Sequence, residues 1–163
     1  MNNSNAQKLV IDDGLVRLDI NGNGILKFNP SDLNVYNRFF ALTQELPEIE
    51  KKYAHEVETA DISGADAEQA LVGRELARAR EIDAEVKAKL SAAFGPGNDF
   101  DALLGGVNIM AFGSNGERII TNLLNALVPY VESGIKKYAD NEVGAAKMNR
   151  EARRAAQKGM VAP

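Results

Sequence analysis

Apolar and polar residues alternate along Lys8–Asp13 and again along Leu15–Ile20, with Leu15, Arg17 and Asp19 on one side and Val16, Leu18 and Ile20 on the other. A period of two is the signature of a half-buried strand. The run Asn21-Gly22-Asn23-Gly24 follows, and Ile25–Phe28 resumes the apolar pattern. Asn-Gly tolerates the positive φ angles that primed hairpin turns require, so residues 8–28 predict an antiparallel β-hairpin or a three-stranded ribbon. Such a ribbon is marginal alone and must pack on something larger.

At Asn29 the period changes to helical. Asn29 suits an N-cap, Pro30 the first helical position, and Asp32 the first turn, where the helix dipole favours a negative charge. Phe39, Leu42, Leu46, Ile49, Tyr53 and Val57 then recur at three and four residues and form one helical face. Pro47 either kinks this helix or starts a second one at Glu48. After a polar break at Thr59–Gly64, Val72, Leu76, Ala79, Ile82, Val86 and Leu90 define the apolar face of another helix. Gly95-Pro96-Gly97 stops it. Its other side is dense with charge (Arg74, Glu75, Arg78, Arg80, Glu81, Asp83, Glu85) and is expected to be a solvated face laced with spaced ion pairs.

Residues 95–116 are glycine-rich but too apolar and too long for a structureless loop. They predict a short helix at Asp99–Leu104 and a buried or interface segment at Val107–Phe112. Ser114-Asn115-Gly116-Glu117 fits a capping box. It would open a helix carrying Ile120, Leu123, Leu124, Leu127, Val131, Ile135 and Tyr138, bent at Pro129. Beyond Asp140 the apolar stripe gives out, and Asn149–Lys158 has good helix formers with little to bury. The pattern thus predicts a mainly α protein of the α+β kind: a helical bundle with a small N-terminal antiparallel β-ribbon and a flexible basic C-terminal tail. Residues 1–7 are a disordered start and 8–140 one globular domain with helices near 30–58, 65–94 and 115–139. Residues 141–163 are the tail, frayed or ordered by a partner.

Composition narrows the function. The 163 residues are 45% hydrophobic and 26% charged, ordinary values for one globular domain. There is no cysteine and one histidine, so disulfides, thiolate metal sites, cysteine nucleophiles and His-rich metal sites have no material. No N-terminal apolar signal is present, and the most apolar stretch, Ile119–Ile135, is interrupted by polar residues, where a membrane span needs roughly 20 apolar ones. The reading is an intracellular chain that does not enter a membrane. Residues 144–163 hold five basic side chains against one acid, a net of +4, and the other 143 carry 14 bases against 22 acids, a net of −8. A general nucleic-acid binder needs a broad basic face, and this tail has no aromatic residue for stacking, so nucleic acid is disfavoured. An acidic body with a basic interaction tail fits better.

Candidate chemistry is sparse. Asp19-x-Asn21-x-Asn23-Gly24 matches the first half of a calcium loop, but the position that needs a bidentate glutamate is Pro30, and a hairpin turn explains the same residues. His55 lies late in a helix with no nucleophile or second base to work with, and a surface position is expected. No phosphate-binding glycine motif occurs, and no pair of carboxylates sits in an apolar setting that would poise one as an acid. The expectation is a protein without cofactor or metal and without catalysis.

Phe94-Gly95-Pro96-Gly97-Asn98-Asp99-Phe100, Leu104-Gly105-Gly106, the helix motif Asn122-Leu123-Leu124-Asn125-Ala126-Leu127 and the ending Asn149-Arg150-x-x-Arg153-Arg154-Ala155-Ala156 resemble the tail assembly chaperones of long-tailed, siphovirus-type phages of Gram-positive bacteria. So does the layout over residues 8–158: a strand pair, Phe28-Asn29-Pro30 before a helix, a charged central helix, a glycine-rich joint and a last amphipathic helix. The resemblance implies a non-enzymatic chaperone of the host cytoplasm that binds the long helical tape-measure protein and helps recruit tail-tube subunits. Members are often also made as a frameshifted longer form. For partner binding it directs attention to apolar Val107, Ile109, Met110 and Phe112, and to Arg150, Arg153, Arg154 and Lys158, which would attract an acidic surface of a tube protein or of another copy. The alternative is a small structural connector of a phage or prophage particle.

Overall fold

The computed structural model describes residues 6–58, 64 and 66–159. Strands β1 (Val16–Asp19) and β2 (Ile25–Phe28) pair antiparallel, with Val16 opposite Phe28 and Asp19 opposite Ile25. Asn21 and Gly22 take φ of 54° and 77°, the primed-turn conformation that the sequence predicts, and the Asp19 carboxylate accepts the Gly22 N–H at 2.7 Å. The ribbon is shorter than expected: Lys8–Asp13 forms no strand, and its Leu9, Val10 and Ile11 are exposed. The expected disordered start falls mostly on residues 1–5, outside the described residues.

Helix α1 spans Leu33–Glu58 and starts later than Asn29-Pro30 suggests. The Asn29 side-chain oxygen accepts from Ser31 N–H and Oγ, which makes a turn there, and Asp32 does the capping by accepting the Asn34 N–H at 2.8 Å. Pro47 lies inside α1 without dividing it. It sits on the exposed side, where water can serve the carbonyl left free by its missing N–H, while Leu42, Ile49 and Tyr53 stay buried on the other side.

Helix α2 (Ala67–Phe94) runs back antiparallel to α1 and stops at Gly95, whose φ of 106° suits glycine. Ile82, Val86 and Leu90 are buried in one cluster with the α1 face. Arg38 Nε donates to the Ala93 carbonyl at 3.0 Å, and the Lys89–Glu45 pair lies farther along at 2.6 Å. The ribbon closes one end through aromatic contacts: Phe94 meets Phe28, Phe39 and Phe100 at centroid distances of 4.9, 5.8 and 5.6 Å.

The expected short helix is present as α3 (Phe100–Leu103), with the Asp99 carboxylate capping the N–H groups of Asp101 and Ala102. Helix α4 (Ile119–Gly159) completes the bundle by burying Ile120, Leu123, Leu127, Val131 and Gly134. Its start corrects the capping-box expectation. Ser114–Glu117 forms a tight turn instead, in which Gly113 N–H bonds the Glu117 carbonyl at 2.8 Å and Phe112 bridges Arg118. Its end differs too. The apolar stripe gives out near Ile135, but the helix continues to Gly159, so the boundary read at residue 140 marks the end of burial and not of helix.

Candidate functional site

The two groups of residues expected to bind a partner fall in different surroundings. In the Val107–Phe112 segment, Gly105 and Gly106 take positive φ and turn the chain out of α3. Asn108 then ties the segment to α2, its Nδ2 donating to the Ala79 carbonyl at 3.1 Å and its Oδ1 accepting the Met110 N–H at 2.8 Å. The Asp83 carboxylate accepts the Ile109 N–H at 2.6 Å, and Ile109 accepts in turn from Ile120 N–H in the first turn of α4. These bonds put Ile109 and Met110 in the core, with 0% and 8% of their surface exposed. Ile109 is enclosed, whereas Met110 keeps a small face at the surface. Val107 and Phe112 do stand out, at 46% and 66% exposure, and Arg118 stacks its guanidinium over the Phe112 ring at 4.9 Å.

A second exposed apolar surface was not legible from periodicity. Val72 and Leu76 were assigned to the inward face of α2, yet both are exposed, together with Leu71. Leu76 and Ala79 border a groove of about 340 Å³ whose other wall is Met110, Ala111 and Arg118. The helix period is the same along all of α2, but among the described residues only the part opposite α1 is buried.

Arg150, Arg153, Arg154 and Lys158 all lie on the exposed last part of α4. Lys147, Arg150, Arg154 and Lys158 recur at three and four residues and share a face, while Arg153 stands about 100° round from Arg154. From Ile120, which touches Ile109, to Arg150 is about 45 Å of helix at 1.5 Å per residue, so the apolar and basic groups are not one site. The other side of the helix carries Ala145, Met148, Ala152 and Ala155, which prolong the 4-3 spacing of the buried Ile120, Leu127, Val131 and Gly134.

The charged groups of the hairpin act as fasteners. Tyr53 Oη donates to Glu85 at 2.8 Å, which pushes the Glu85 carboxyl below its usual range and the Tyr53 hydroxyl above its own. Among the described residues Lys87 is the one charged side chain in the buried set, 5% exposed, and bonds Asp101 at 2.7 Å and Asp83 at 3.0 Å. Asp83 therefore joins α2 to the Ile109 backbone and to Lys87 at once. Among the described residues no three of His, Cys, Asp and Glu come together to hold a metal ion. The side chain of His55 lies outside the described residues, as does that of Val57. A cleft of about 370 Å³ opens where Pro30 and Ser31 meet Tyr130, Ser133 and Lys137 of α4. Among the described residues no helix is long and apolar enough to cross a membrane.

Comparison with family models, with curated protein sequences and with solved structures found no match to this chain.

Proposed function

We propose that this chain is a non-enzymatic assembly chaperone of phage tails, which lends exposed helical surface to a tape-measure protein and assists tail-tube assembly in the host cytoplasm. The observation that carries the reading is the second part of α4. Residues 136–159 form helix, bury no side chain against the body, and are almost entirely exposed. Continued from the packed turns before it, this stretch needs no contacts of its own to propagate as helix, so its whole surface is left to present to a partner. Its Ala145-Met148-Ala152-Ala155 side suits close packing by another helix, and its basic side suits an acidic rim. The resemblance read from Phe94–Phe100 and Asn149–Ala156 points to the same work.

The test is co-expression with a long helical tape-measure protein from a tailed phage. The full chain should keep that protein soluble and purify with it; truncation after Asn141 should weaken the complex most at low salt, where the basic residues act. An unchanged soluble fraction with and without the chain would refute the reading. The finished particle supplies the second arm: a chaperone is absent from it, whereas a chain present there in stoichiometric amount is a structural connector.

A further inference from the structure

We infer that residues 8–13 are a strand that pairs antiparallel with the free edge of β1 in a second copy of this chain. The ribbon has two outer edges, and they are treated differently. On β2, the buried side-chain amide of Asn98 accepts the Lys27 N–H at 2.9 Å and donates to the Lys27 carbonyl at 2.8 Å. That amide occupies the place of a third strand and closes the edge. On β1 nothing equivalent occurs. The Ile20–Gly24 bond and the register place the N–H and C=O groups of Leu18 and Val16 toward β2, so those of Arg17 and Asp19 point outward. Among the described residues neither has a backbone partner outside the ribbon. A bare edge of this kind is a template for another strand.

The missing strand is in the same chain. Lys8–Asp13 has the apolar, β-branched content of a strand, yet Leu9, Val10 and Ile11 are 86%, 77% and 71% exposed. Three consecutive large apolar residues left in water are a feature that folded chains usually cover. The bend that follows holds them away from their own β1. Asn29 Nδ2 donates to the Asp13 carbonyl at 3.0 Å, the Asp12 and Asp13 carboxylates accept from Gly14 and Leu15 N–H, and Gly14 has φ of 64°.

The match extends to side chains. With Val10 opposite Arg17, Leu9 meets Leu18 and Ile11 meets Val16 on the face that packs on the core, while Lys8 meets Asp19 on the other face. Opposite charges and apolar pairs directly across a ladder both stabilise it. Exchange of the segment between two copies covers the β1 edge of each, a reciprocal pairing that makes a two-fold dimer.

Sedimentation equilibrium combined with residue-resolved amide exchange tests this. The unaltered chain should form a dimer in which the Arg17 and Asp19 amides are protected. Val10→Pro, which removes a ladder N–H from a segment that the fold does not bury, should weaken dimerisation by roughly tenfold or more and leave the unfolding midpoint unchanged at concentrations where both proteins are monomeric. A chain that stays monomeric would overturn the inference, whether those amides exchange freely or are protected by its own residues 8–13 folding back through Asp13-Gly14. A dimer that Val10→Pro leaves intact would overturn it equally.

Discussion

Lys87 shows how one residue joins three parts of the molecule. Its ammonium lies under α3 and the Val107–Phe112 segment, where burial alone would lower its pKa; the hydrogen bonds to Asp101 and Asp83 outweigh burial and hold it above the usual lysine value of 10.5. A raised pKa in the folded state stabilises below the unfolded value, and that contribution is lost as pH climbs through the folded one. Lys87→Met should therefore cost about 1–3 kcal/mol at neutral pH by leaving Asp83 without its cation, and the gap to the unaltered chain should narrow above pH 10.5. Denaturant titrations of both proteins across that range check it, and a gap that does not vary with pH would contradict the assignment. None of this is visible in the sequence. Lys87 follows a run of charges that reads as one solvated face, and its burial depends on Asp101, which comes across from a glycine-rich stretch with no periodicity to place it.

At the scale of elements, burial depends on what each helix faces. The 3.6-residue pattern correctly gave Phe39, Leu42, Ile49 and Tyr53 on α1, Ile82, Val86 and Leu90 on α2, and Ile120, Leu127 and Val131 on α4 as inward residues. It failed for Val72 and Leu76, because a pattern marks a face and not the length of its neighbour. It stopped α4 early for the converse reason: small and basic residues sustain a helix without an apolar stripe to reveal it. Helix boundaries at Asn29 and Ser114 were misread because a side chain that caps a helix also closes a turn, and only the backbone beyond it decides which. Gly134 fixes where α4 crosses the turn between β2 and α1: a Cβ there would run into the backbone carbonyl of Pro30. Gly134→Ala is expected to destabilise by about 1–3 kcal/mol, although alanine favours helix, because Pro30 offers backbone and no flexible side chain that could yield. Chemical denaturation measures it, and a neutral or stabilising result would mean that the crossing is looser than the structure has it.

The whole molecule divides into a packed bundle and a projecting helix. The core joins β2, α1, α2, α3, Leu104, Ile109, Met110 and the first turns of α4, where Val131 is its last member. Charge is divided farther along the projecting helix, since residues 144–163 carry +4 and the rest −8. That asymmetry was plain in the composition, whereas the helical state of residues 141–159 was not. The body buries none of the last helical turns, and under the proposed function those turns are the part that meets the partner. Amide hydrogen exchange over residues 141–159, with and without a tape-measure protein, tests this most directly. The account predicts fast exchange alone, because few tertiary contacts protect these amides, and marked protection in the complex. Protection already complete in the isolated monomer, or exchange unaltered by the partner, would contradict it.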